Sequence, residues 1–255
     1  MTSEGLSSVQ RAISVLDALG DESLERTGVV QIARHLGREK TQISRTLKVL
    51  DEAGLVERDP DTLEYRLGWR LFTLAARASD RRLLAAAPGA LRELVATVHE
   101  RAHLSVRNAD EALTVTSENP RRAVQTGGWI GRTTPLLCTS AGRALLFDTP
   151  DDEVVELFES TRHAEAGPKA PRTARECLDR LRRARKLGYA LADEELEAGL
   201  VGAAAPVRDF SGAIVGAVNV SAPRYRTGRR LPAIGRAVMV AAQQLTERLR
   251  GKSTG

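Results

Sequence analysis

The stretch QIARHLGREKTQISRTLKVLDEAGLVERDPDTLEYRLG, residues 31–68, decides the fold of the first part of this chain. Within it, KTQISRTLKVLDEAG places Ile43, Leu47 and Leu50 on one side of a helix that turns about 100° per residue, with Gly54 as its terminator. LVERDPDTLEYRLG then reads as two short strand-like pieces, 55–58 and 63–67, around the turn signal Asp59-Pro60-Asp61. Upstream, a short helix at 29–36 closes on Gly37. Before it, residues 7–20 repeat apolar side chains at helical spacing through Val9, Ile13, Val15, Leu16 and Leu19, and Gly20 stops them. Helix, helix, turn, helix, hairpin is the order of a winged helix-turn-helix.

The side of the third helix opposite Ile43, Leu47 and Leu50 carries Arg38, Thr41, Arg45 and Lys48, with Gln42 and Ser44 flanking and Lys40 at its start. Arg pairs with guanine, Gln with adenine, and Ser or Thr with either, while Lys and Arg neutralise phosphate. Arg58 and Arg66 fall on the hairpin, where they can touch backbone or minor groove. The competing reading is the solvated face of a small helical bundle, since most charge runs are solvated faces.

Composition bounds the rest. With 255 residues the chain holds one large domain or two small ones. Hydrophobic residues at 42% build a core, and aromatics at 4% make that core mostly Leu, Val, Ile and Ala. Charged residues at 28% argue against a disordered or membrane protein. No stretch approaches the roughly 20 apolar residues that span a bilayer. No signal peptide is read at the N-terminus, and the cytoplasm is the expected location. Two cysteines, Cys138 and Cys177, fit neither a disulfide scaffold nor a zinc site. Residues 1–70 hold ten Lys/Arg and twelve Asp/Glu, a net −2 that leaves +7 to the remainder. Yet from Arg34 to Lys48 five bases meet one acid, Glu39, a local basic stripe inside a neutral module.

Residues 69–83 read as a further helix with small and basic side chains, and a new helix opens at Ala87-Pro88-Gly89 to cover 90–100. Beyond it, strands at 104–106 and 113–117 mix with helices at 141–147, 152–159 and 173–186. Residues 201–223 hold two β-rich pieces joined at 209–212, and 232–250 close as an amphipathic helix. The organisation expected is a DNA-binding domain over 1–70, a linker helix over 71–83, and an α+β domain around an antiparallel sheet over 84–255.

At this point the residues resemble the IclR-type bacterial transcription regulators, over nearly the whole chain. SVQRAISVLDAL looks like the family's opening helix and the quoted 31–68 stretch like its winged helix-turn-helix. PLLCTSAGRALL, LGYALADEELEAGL and AAAPVRDFSGAIVGAVNVSAP follow in the family's order and spacing. The resemblance implies a GAF/PAS-like effector domain that binds a small molecule, often an organic or aromatic acid, in a dimer or dimer of dimers. It implies that Ser140, Ala141, Asn219 and Ser221 line the ligand site and that Asp193 lies near its rim with Glu194 and Glu195. The family often has His at Leu137, Lys at Arg143, Asp at Ala192 and Cys at Gly202.

From the residues themselves, Thr139 or Ser140 is a plausible N-cap for a helix whose start, Ser140 to Gly142, offers backbone N–H groups to a carboxylate. Asn219 and Ser221, two apart, share one side of a strand. Set against the residues the family often has there, Leu137, Ala192 and Gly202 leave the pocket that the resemblance implies roomier and less polar, so the expected effector is a carboxylate-bearing metabolite, aromatic or branched. An ordinary capped helix is the plainer alternative.

An enzyme with a vestigial DNA-binding module is the other functional class. His99 and His103, four apart, share a helix face at most, and no nucleophile elbow, Walker lysine loop or dinucleotide fingerprint is present. Cys138 reads as core packing. No cofactor or metal is expected, and RTARECLDRLRRARK reads as a helix lying over the second core rather than on a membrane. The expected partners are double-stranded operator DNA with an inverted repeat, an organic acid, and a second copy of the chain to cover the apolar linker helix.

Overall fold

In the computed structural model the described residues are 7–21, 24, 26–78, 81–120, 128–161 and 166–251; for residues 72 and 75–78 the backbone alone is described. The chain divides into two units, one up to Arg81 and one from Arg82 onward.

The first unit holds α1 (Ser8–Gly20), α2 (Val29–His35), α3 (Lys40–Glu52), the strands β1 (Val56–Arg58) and β2 (Tyr65–Leu67), and α4 (Trp69–Ala78). A capping box starts α1: Ser7 accepts from the Gln10 amide while the Gln10 side chain accepts from the Ser7 amide. Val15, Ile32, Ile43, Leu47, Leu50, Val56 and Tyr65 are buried together as one core. The apolar stripe read on α1 splits: Val15 packs inward, while Val9 and Ile13 remain 66% and 52% exposed. The antiparallel wing pairs Val56 with Leu67 and Arg58 with Tyr65. Asp59 closes its turn by accepting from the amides of Asp61 and Thr62 at 2.9 Å each, which lowers its pKa. Gly68 is required after β2, because a Cβ there would lie 2.4 Å from the Gly54 carbonyl oxygen.

The second unit is α5 (Arg81–Val98), β3 (Arg101–Asn108), β4 (Glu111–Glu118), β5 (Thr133–Pro135), α6 (Ser140–Leu145), α7 (Asp151–Ser160), α8 (Ala174–Leu187), β6 (Ala190–Asp193), β7 (Leu200–Arg208), β8 (Ile214–Pro223), α9 (Arg224–Thr227) and α10 (Leu231–Leu249). Its sheet is antiparallel in the order β5-β4-β3-β8-β7-β6. Residues of α5 and α10 form the core on one face, and residues of α6, α7 and α8 the core on the other. The middle of β7 is buried nearly throughout because both faces are covered, and its Ala203, Ala204 and Ala205 let the two layers come close. The fold is α+β, as the element pattern implies.

One expectation is corrected here. The helix expected to begin after Pro88-Gly89 is already formed at Arg81, seven residues before Pro88, and runs through both residues. Leu83, Ala87, Ala90, Leu91, Leu94 and Val98 are all buried on its inner face, and that burial outweighs the roughly 3 kcal/mol a mid-helix proline costs. The expected linker helix, 71–83, falls partly outside the described residues, at 79 and 80, and Leu83, near its far end, is part of the second unit's core.

Candidate functional site

Helix α3 builds the first candidate surface. Ile43, Leu47 and Leu50 are buried, and Lys40, Thr41, Ser44, Arg45 and Lys48 are exposed, with Gln42 half-buried. Arg38 is exposed but precedes the helix, in the turn between α2 and α3, where its amide donates to the Ala33 carbonyl at 2.9 Å. Lys48 lies 3.9 Å from Glu52, one turn on, an exposed pair worth a few tenths of a kcal/mol. Val49 was missed by the sequence reading: it is 63% exposed and about 40° around the helix from Arg45. An apolar residue on a polar face suits a thymine methyl. On the wing, Arg66 is held by Glu57 through two bonds at 2.9 and 3.0 Å, while the Arg58 guanidinium lies 5.6 Å from the Tyr65 ring centre.

The second candidate site is a cavity of about 530 Å³, open mouth included, in the second unit. Its wall among the described residues includes Ser140 and Ala141 from the start of α6, Asn219 and Ser221 from β8, and His103 and Ser105 from β3. Strand register explains the polar row: His103 pairs with Asn219, two residues from Ser221. His103 Nε2 and Ser221 Oγ are 3.1 Å apart, and Ser105 Oγ donates to Asn219 Oδ1 at 3.1 Å. Polar residues at 103, 105, 219 and 221 alternate along buried strands, and that alternation was the signal for His103 and Ser105. His99 and His103, expected at most to share a helix face, do not: His99 follows α5 at φ +59° and His103 lies within β3.

Burial, then the charge of Arg101, pushes the His103 pKa down to about 4, so the ring is neutral at pH 7. Its Nδ1 is buried and has no hydrogen-bond partner among the described residues. The Trp129 ring lies 5.4 Å from it, centre to centre. Burial, with the nearby Glu195 charge adding, raises Cys138, also on the wall, to about 11, which leaves it a thiol rather than a nucleophilic thiolate.

Thr139 is on the wall, whereas Gly142, Leu137 and Asp193, expected at the ligand site, are not. Thr139 caps α6 by accepting from the Gly142 amide at 3.0 Å. Gly142 itself faces the 136 backbone, where a Cβ would come within 2.2 Å of Leu136 Cα; its role is close packing, and it is not part of the wall. Leu137 belongs to the core beside α6. Asp193 also lies outside the wall, on the outward side of β6, paired with Lys169 and Arg224 at 3.0 Å each. Glu194 follows at φ +54° and turns the chain, so Glu195 is the acid that enters the wall. Arg143 Nη2 and Arg180 Nη1 hold Glu195 at 2.5 and 2.9 Å, and Arg143 Nη1 donates to the Leu191 carbonyl. Ala192 and Gly202 do line the cavity, yet a Cβ on Gly202 would lie 2.8 Å from Ser140 Oγ. The space a larger residue would take is therefore filled by the serine.

Among the described residues no helix is long and apolar enough to cross a membrane. The buried residues of α8 are Cys177, Leu181 and Ala184, which pack in the core beside α6.

Comparison with known proteins gives the same two parts. The IclR helix-turn-helix domain matches residues 8–60, and the bacterial transcriptional regulator IclR C-terminal domain matches residues 75–247. The HTH-type transcriptional regulator KdgR of Escherichia coli is 28% identical over 224 residues, 88% of this chain and 84% of that protein. The HTH-type transcriptional repressor AllR of the same species is 27% identical over 248 residues, 96% of this chain and 91% of that one. In fold, an IclR homolog from Microbacterium hydrocarbonoxydans, solved in complex with 4-hydroxybenzoate, superposes with a TM-score of 0.81 at 23% identity, covering 96% of this chain and all of the other. The relatives are regulators of transcription, not enzymes. This chain belongs to the IclR family of bacterial transcription regulators.

Proposed function

We propose that the chain binds an inverted-repeat operator as a dimer or dimer of dimers and that a small organic acid, bound in the second unit, sets its affinity for that DNA. The observation that carries this reading is the cavity where the first turn of α6 meets the polar row of β3 and β8. With Thr139 already on the Gly142 amide, the amides of Ser140 and Ala141 are the first-turn donors left for a carboxylate. Two guanidiniums against the single carboxylate of Glu195 leave one positive charge in surplus beside the cavity, which also favours an anion. Trp129 and the neutral His103 offer ring faces, and Ser221 and Asn219 offer hydrogen bonds, so an aromatic acid carrying a hydroxyl suits the wall better than a two-carbon acid. The 4-hydroxybenzoate held by the structural neighbour is of that class.

Calorimetry with a panel of aromatic, branched and short acids tests the assignment. Aromatic acids should bind, with Ser221→Ala weakening them; binding of none, or of neutral or cationic ligands indifferent to Ser140 and Ser221, refutes it.

Assembly rests on a different observation. Val9 and Ile13 on α1, and Trp69 and Leu74 on α4, are exposed apolar residues of the first unit. A second copy covers them, and two half-sites then share the protein's two-fold. Light scattering at micromolar concentration should give at least a dimer that Ile13→Glu weakens; a wild-type monomer that binds DNA tightly contradicts it.

A further inference from the structure

We propose that the surface carrying Arg229, Arg230 and Arg236 in the second unit is a contact site for the phosphate backbone of duplex DNA, separate from the α3 face. From Arg224 to Thr246 the chain has five arginines and no Asp or Glu. The structure sorts the five. Arg224 is spent on Asp193 and Glu194, at 3.0 and 3.3 Å, and Arg226 on Glu100, at 2.8 Å. Arg229, Arg230 and Arg236 are exposed and meet no carboxylate among the described residues.

Intramolecular stability does not account for these three. Arg229 and Arg230 immediately precede α10, where the helix dipole favours acids over bases, and like charges this close repel one another. Arg236 is one further turn and a half along the same helix, on its exposed side. The last turn of α8 adds Lys186, also exposed: a Cβ on Gly188 would lie 2.9 Å from Met239 Sδ, so the end of α8 abuts α10 just beyond Arg236. Tyr225, 84% exposed, adds a hydroxyl of the kind that bonds phosphate oxygens.

Charge complementarity selects the partner. The first 70 residues, which hold α3, are net −2, and the remainder is +7. A DNA-binding protein whose reading module has no net positive charge gains phosphate neutralisation from elsewhere in the chain, and this acid-free stretch is where unpaired cations gather.

The test is a salt titration of the full chain on its own upstream DNA, as a fragment of about 20 base pairs around the footprint and one of about 60. The triple variant Arg229→Ala, Arg230→Ala, Arg236→Ala should lower the slope of log affinity against log salt by about 2 to 3 on the long fragment, at about 0.9 per phosphate lost. Short-fragment binding should hardly change. The triple Lys variant should keep the slope, because phosphate accepts either cation. A control removing Arg92, Arg107 and Arg175, exposed elsewhere on the same unit, should change it far less. Equal slopes for wild type and the alanine triple on the long fragment, or an equal loss in the control, overturn the proposal. An acidic protein partner would give the first of these results. Loss of short-fragment binding by wild type would count against the α3 reading instead.

Discussion

On and just before α3, Arg38, Lys40 and Arg45 stand in solvent with no carboxylate against them among the described residues. In the cavity wall the carboxylate of Glu195 is gripped by Arg143 and Arg180, and His103, another residue of that wall, is held neutral by burial. The first arrangement costs little, because water screens the charges until a polyanion displaces it. The second holds its one carboxylate against guanidiniums in a low-dielectric setting and presents hydrogen bonds and ring faces to a ligand. A surface for phosphate and a pocket for a metabolite therefore differ in how they hold charge more than in how much they carry.

The contrast breaks most visibly at Arg143, which is 3% exposed. Arg143→Ala leaves Glu195 buried with Arg180 alone and should cost about 3–5 kcal/mol of the second unit's stability. Denaturant unfolding should show it, whereas Arg45→Ala should leave the unfolding curve in place. A loss near zero for Arg143→Ala would mean that water already reaches Glu195.

The neutral histidine sharpens the same point through pH. The unfolded chain takes up a proton near pH 6.5, but His103 in the fold resists it down to about 4. Stability from this group is thus complete above pH 6.5 and falls by about 3 kcal/mol as pH drops to 4. Asp148, Asp193 and Glu194, whose pKa values are lowered by arginine or lysine partners, begin to add losses as pH falls through the ordinary carboxylate range and continue below it. Stability of His103→Gln measured from pH 7 to 4 should be flatter than wild type; parallel profiles contradict the assignment.

On the DNA side, Arg45→Ala should cost about 1–3 kcal/mol of operator affinity if its contact is bidentate to guanine, while Lys48→Ala should weaken all sequences and lower the salt slope by about one. Unchanged operator affinity in Arg45→Ala removes it from the interface. The smallest effect is expected at Gly202→Ala, which pushes on Ser140 Oγ: effector affinity should fall severalfold with DNA binding in the absence of ligand unchanged, read by calorimetry and DNA titration together.

Both regions were legible to different depths. The α3 face follows from one local period, because Ile43, Leu47 and Leu50 are neighbours in sequence as well as in space. The cavity draws on β3, β7, β8 and α6, and only strand register shows that His103 faces the neighbourhood of Ser221, 118 residues away. Strand β6, four residues of Ala-Leu-Ala-Asp, has little β propensity and exists because β7 pairs with it. With β6 unread, Asp193, Glu194 and Glu195 were one acidic run, and which of them turns inward depended on the positive φ at Glu194. Pro88 read as a boundary because its local cost was visible and the sheet that repays it was not.

The coupling between the two regions is the central claim, and operator affinity measured with and without a saturating aromatic acid tests it most directly. A ligand acts on DNA binding only if it binds one arrangement of the dimer better than the other. The account predicts a change of about 5–150-fold, or about 1–3 kcal/mol. It also predicts that Ser221→Ala shrinks the change while leaving ligand-free affinity intact. An acid that binds the cavity by calorimetry yet leaves operator affinity unmoved would contradict it.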